Sequence, residues 1–110
     1  MAVQYDEKPI PGLSRALVRS ISSKDPTFKQ TYRLAVRQIM DDSRAVQRAQ
    51  PELGPAMNWR QAGNMVCIIA GLAWEELAAK AGQNYDASPE HALRLTVKTL
   101  ADKRKNPAPS

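Results

Sequence analysis

Lys29, Arg33, Arg37, Arg44 and Arg48 recur at intervals of four or seven residues, the spacing that brings side chains back to one side of an α-helix. At 100° per residue they fall at about 0°, 40°, 80°, 60° and 100°, and they extend over roughly 28 Å of helix. No Asp or Glu falls inside that strip. The chemistry open to it is binding. A guanidinium presents a rigid fork of donors that matches phosphate or carboxylate oxygens two at a time. A rail of one sign therefore suits a polyanion, either a nucleic-acid backbone or an acidic protein surface. The competing reading is a solvated charged face that Asp41 and Asp42 partly balance. Arg94 and Lys98 are four residues apart on a later helical segment and extend the candidate binding set.

Catalytic chemistry has a thin inventory. His91 is the one histidine and Cys67 the one cysteine, so no metal-ligand spacing exists and no intrachain disulfide can form. Glu75 and Glu76 are adjacent, as are Asp41 and Asp42; neighbours on a helix diverge by about 100° and do not form a facing carboxylate pair. No Gly-rich phosphate loop is present. The expectation is a noncatalytic protein with no cofactor and no metal.

A second candidate surface comes from small residues and tryptophans. Gly63, Cys67, Ala70, Trp74, Ala78 and Ala81 share a face of one long apolar segment, next to a face of Ala62, Met65, Val66, Ile69, Leu72, Ala73 and Leu77. Together these cover more than half the circumference, so the segment needs burial on several sides. Two readings stay open: the central helix of a monomeric bundle, or a homo-oligomer in which Trp59, Gly63, Cys67, Trp74 and Ala78 form a protein interface. Trp59 and Trp74, about 60° apart on this helix, serve equally as interface anchors or core residues.

The elements that must position these residues read as helices. Asp25-Pro26 and Ser88-Pro89 each place a capping side chain before a proline at the first helical position. The first opens a helix to about Ala49, with Phe28, Tyr32, Ala35, Val36, Ile39 and Val46 on its inner arc. The second opens a helix to about Lys103, with Leu93, Val97 and Leu100 inward. Pro51, Gly54 and Pro55 form a connector, and the apolar helix should run from about Ala56 to Ala81, ended by Gly82. A short helix over Leu13 to Ile21 precedes a break at Ser22 to Lys24. Nothing alternates with period two, so strands are not expected. The fold class is all-α: a small bundle of three to four helices, with an extended N-terminal arm over 1–12, a single helical domain over 13–105 and a mobile basic tail over 106–110.

Composition agrees. With 110 residues, 43% apolar and only 5% aromatic, the chain makes one domain with an aliphatic, Ala-rich core. Sixteen Lys and Arg against eleven Asp and Glu give +5, which favours anionic partners. No signal-peptide pattern opens the chain, the uncharged run from Gln61 to Trp74 is shorter than the ~20 residues that span a bilayer, and the lone cysteine fits a reducing compartment. A cytoplasmic protein with no membrane partner is expected.

The run Trp74-Glu75-Glu76-Leu77-Ala78-Ala79-Lys80-Ala81-Gly82 resembles the helix and turn of helix-turn-helix repressors, in which the next helix would enter the major groove. The likeness covers nine residues and then departs: the following loop, Gln83 to Ala87, is longer than the family's turn, and Gln83 stands where an apolar residue normally plugs the core. In size, charge and helical make-up the chain is also similar to the small helical subunits of CRISPR effector complexes and to quorum-sensing antiactivators, a likeness of architecture carried by no motif. Two functions follow as expectations. One is a noncatalytic basic helical subunit that binds nucleic-acid backbone, RNA or DNA, without reading sequence, within an assembly or as an oligomer. The alternative is a protein-binding regulator, an antiactivator or phage-type inhibitor, that uses the apolar third helix and the arginine strip.

Overall fold

The computed structural model describes residues 14–81 and 88–105. The N-terminal arm, the loop after the apolar helix and the tail beyond Lys105 lie outside the described residues. Four α-helices and a 3-10 turn make up the rest: α1 (Arg15–Lys24), α2 (Pro26–Ala49), the turn at Pro51–Leu53, α3 (Trp59–Ala81) and α4 (Pro89–Lys105). No strand occurs among the described residues. The fold is the expected small all-α bundle.

One residue separates α1 from α2. The Asp25 backbone N–H closes the last turn of α1 on the Ile21 carbonyl at 2.9 Å, while its carboxylate accepts the Phe28 N–H at 3.1 Å and caps α2. The break expected at Ser22 to Lys24 is instead the last turn of α1, where the Ser23 hydroxyl donates back to the Ser20 carbonyl at 2.8 Å. A serine can satisfy itself on the preceding turn, so it need not end a helix.

α3 starts at Trp59 rather than Ala56 because Asn58 and Gln61 cap it reciprocally. The Gln61 N–H donates to Asn58 Oδ1 at 2.8 Å and the Asn58 N–H donates to Gln61 Oε1 at 3.0 Å, a capping box with amides in both roles. Upstream, Gly54 adopts φ of 101°, a left-handed conformation that glycine tolerates. The Ser43 hydroxyl accepts the Met57 N–H at 2.7 Å and ties this connector back to α2.

Two side-chain links set the direction of packing. Arg94, near the start of α4, reaches Asp25 at the start of α2, and Arg104, near the end of α4, reaches Asp41 further along α2. The two helices therefore run parallel and pack directly on each other, and α3 packs against both. Their shared core is aliphatic: Val36, Val66, Leu93 and Val97 are the largest fully enclosed side chains, and Ala35, Ala62, Ala70, Ala92 and Ala101 let the backbones close in. No buried side-chain polar atom among the described residues lacks a hydrogen-bond partner.

Val46, expected on the inner arc, is exposed, and no buried residue lies beyond Ile39 on α2. The periodicity continues past the point where other helices cover it. α3 is long and apolar enough, by length and composition, to cross a membrane, although its uncharged run alone is short. In this fold its Ala62, Val66 and Ala70 belong to the same core cluster as Val36 and Leu93.

Candidate nucleic-acid interface

α2 presents its basic residues along an outer edge, and the neighbouring elements sort them into two groups. Arg44 is held by Asp41 at 3.0 Å, and Asp41 also accepts Arg104 from α4. The Arg104 hydrogen bond, with the charges of Arg104, Arg44 and Arg48 behind it, keeps the Asp41 carboxyl below its ordinary range. The strip was expected to be free of acid; at about 120° on the same helical wheel, Asp41 borders its edge closely enough for an i,i+3 pair. Lys29, Arg33, Arg37 and Arg48 are exposed and make no ion pair among the described residues.

Arg94 and Lys98 differ from these four in being ion-paired. The Arg94 guanidinium donates to Asp25 at 2.9 Å and to Glu90 at 3.0 Å, and it lies 5.4 Å from the Phe28 ring centroid. Its two carboxylate partners, Asp25 first, raise its pKa further. Lys98 pairs with Asp102 at 3.0 Å. Both cations are thus met by carboxylates of the same chain while remaining exposed. The i,i+4 partners Glu90 and Asp102 were legible in the sequence; Asp25, 69 residues from Arg94, was not.

Around the unpaired cations the surface is concave. Arg19, Ser22 and Ser23 from α1 face Lys29, Tyr32 and Arg33 from α2 across a cleft of about 350 Å³, with Val18 and Trp59 completing its walls. A second depression, of about 450 Å³, is lined by Arg37, Met40, Asp41, Arg44, Arg104 and again Trp59. Trp59 thus stands between two groups of cations, and its side chain is 41% exposed. The cap formed by Asn58 and Gln61 puts this indole at the first position of α3, against the edge of α2. Sequence reasoning missed Arg19 and Arg104 as neighbours of the strip and missed Trp59 as part of it. The Asn58-x-x-Gln61 box was the signal that would have located Trp59 at a helix start.

The fold divides the five residues of the small-residue interface. Gly63 and Cys67 are buried within the chain, where a Cβ on Gly63 would stand 2.8 Å from the Tyr32 hydroxyl. Gly63 here serves the approach of α3 to α2. Trp74 is half-buried and Ala78 exposed. Burial pushes the Cys67 thiol up from its ordinary pKa. The exposed apolar side of α3 is a different one, with Ile68 at 54% and Leu72 at 57% exposure. The segment that resembles a helix-turn-helix forms the last turns of the continuous α3, and its turn falls outside the described residues. No group of three His, Cys, Asp or Glu suited to a metal occurs among the described residues.

Compared with protein-family models, curated proteins and solved structures, the chain matches none.

Proposed function

We propose that this protein is a noncatalytic nucleic-acid-binding helical subunit that engages the phosphate backbone through the edge of α2. The observation that carries the reading is the contrast within the basic residues. Arg44, Lys80, Arg94, Lys98, Lys103 and Arg104 are met by carboxylates of the same chain; of the described cations that form no ion pair, Arg15, Arg19, Lys24, Arg60 and Lys105 lie on other elements or at helix ends, whereas Lys29, Arg33, Arg37 and Arg48 line one edge of α2. Charges left unmatched along a single line are the footprint of an anionic partner. Gln30 and Gln47 fall within the same strip, at about 100° and 0° on the wheel, but the reading rests on the cations and assigns binding to backbone contacts. The rail supports either RNA or DNA, and work within an assembly or as repeated copies.

An anisotropy titration with generic single-stranded and duplex nucleic acid, at two salt concentrations, tests this. With four phosphate contacts the slope of log K against log salt is about −3 to −4, at roughly 0.7–0.9 per contact. Reversing Lys29, Arg33, Arg37 and Arg48 to Glu abolishes binding and leaves helicity unchanged. Absence of binding to either form, or affinity indifferent to salt, overturns the reading and favours the protein-binding regulator, for which the exposed Ile68 and Leu72 offer the contact face.

A further inference from the structure

The backbone reading accounts for the cations but leaves Trp59 idle. Trp59 is 41% exposed and lines both cationic depressions, so part of its indole stays open to a ligand. Its surroundings define a role. On one side lie Arg19, Lys29 and Arg33 around a cleft whose floor is Val18 and Tyr32. On the other side Arg37 is the cation left without a carboxylate, because Asp41 takes both Arg44 and Arg104. Lys29, Arg33 and Arg37 follow one another at about 6 Å of rise along α2. An indole flanked by phosphate-binding groups at both edges is the arrangement that takes an unpaired base on its π-face while the backbone runs past. A duplex cannot use it, since every base face inside a duplex is already stacked. The cleft, at about 350 Å³, is of ligand-binding size, and Ser22 and Ser23 at its rim add hydroxyl donors and acceptors.

We propose that this site, the same surface to which backbone binding is assigned above, prefers single-stranded nucleic acid and stacks one base on Trp59, with Arg19, Lys29 and Arg33 holding the phosphates on one side and Arg37 those on the other. The inference rests on the backbone reading and adds to it a strand preference and a residue.

Tryptophan fluorescence of the full chain, titrated with an oligothymidylate and with a blunt duplex of equal length, tests it. A Trp74→Phe variant leaves Trp59 as the only emitter. The oligothymidylate quenches that emission on binding, and the duplex binds more weakly without quenching. Trp59→Ala weakens single-strand binding by about 5- to 150-fold, the range corresponding to loss of one stacked base. Trp59→Phe, in the otherwise natural chain, retains most of the affinity and loses the quenching, which keeps the test open if Trp74→Phe fails to fold. Duplex binding as tight as or tighter than single-strand binding, or full affinity in Trp59→Ala, overturns this inference and leaves backbone binding standing. Failure of both nucleic acids to bind overturns the two together.

Discussion

Arg94 Nη1 lies 2.9 Å from Asp25 Oδ2, and the other oxygen of that carboxylate caps α2 through the Phe28 N–H. One aspartate thus ends α1, starts α2 and anchors the first turns of α4. Its pKa is lowered, first by the hydrogen bond from Arg94 and then by that from the Phe28 N–H. Asp41, held by Arg104, is lowered in the same sense.

Acid should therefore weaken this bundle through those two groups. A carboxyl whose pKa is lower folded than unfolded contributes stability that is present above its ordinary value of 3.8 and disappears as pH falls through the folded pKa. The arginines stay charged throughout. The thermal midpoint should hold steady above about pH 5 and decline below about pH 4. Asp25→Asn keeps a competent cap, since asparagine serves that position as well, but removes the charge. Combined with Asp41→Asn it should lower the midpoint at neutral pH and flatten the acid limb. An acid limb equally steep in the double variant would show that other groups carry the pH dependence.

The contact of α2 with α3 makes a second prediction. A Cβ on Gly63 would stand 2.8 Å from the Tyr32 Oη and 4.0 Å from its Cζ, so an alanine there crowds the hydroxyl and requires it to shift. Alanine in a helix interior is otherwise favoured over glycine by about 0.5–1 kcal/mol. Gly63→Ala in the natural chain should yield none of that gain and should destabilise. In a Tyr32→Phe background the same change should stabilise, and the cycle should show a coupling of about 1 kcal/mol. Denaturant unfolding of the four proteins measures it; strict additivity would mean that α3 shifts freely against α2.

The same contact shows what the sequence could and could not convey. Helix starts were legible wherever a short polar side chain precedes proline, as at Asp25-Pro26 and Ser88-Pro89, because capping is a local event. The inner arc of α2 was legible through Ile39 for the same reason. The inner face of α3 was not: apolar residues surround most of its circumference, so periodicity assigns it no direction, and the small-residue face was left open between a bundle core and a homo-oligomer; Gly63 on it seats Tyr32. The pairings of Arg44, Arg94, Lys98 and Arg104 divide on the same line, Asp41 reaching Arg44 within one turn of α2. Glu90 and Asp102 are one turn away and visible, whereas Asp25 and Asp41 meet α4 only through the tertiary fold. The position of Trp59 beside the basic edge combines a local cap with a non-local packing, and only the first half was there to be read.

That sorting of cations separates binding from stability, residue by residue. Arg94→Gln removes a guanidinium shared between Asp25 and Glu90 and stacked near Phe28, so it should lower the thermal midpoint and leave nucleic-acid affinity unchanged. Arg37→Gln removes a charge that no carboxylate of the described residues meets. It should leave the midpoint where it was, within about 0.5 kcal/mol as expected of a surface substitution without partners. It should also weaken nucleic-acid binding and reduce the salt slope by about 0.7–0.9, the contribution of one phosphate contact. Measuring both properties on both variants gives four numbers whose pattern is fixed in advance. If Arg94→Gln weakened binding as much as Arg37→Gln did, the paired and unpaired cations would be acting alike, through net charge alone, and the edge of α2 would have no claim to be the site.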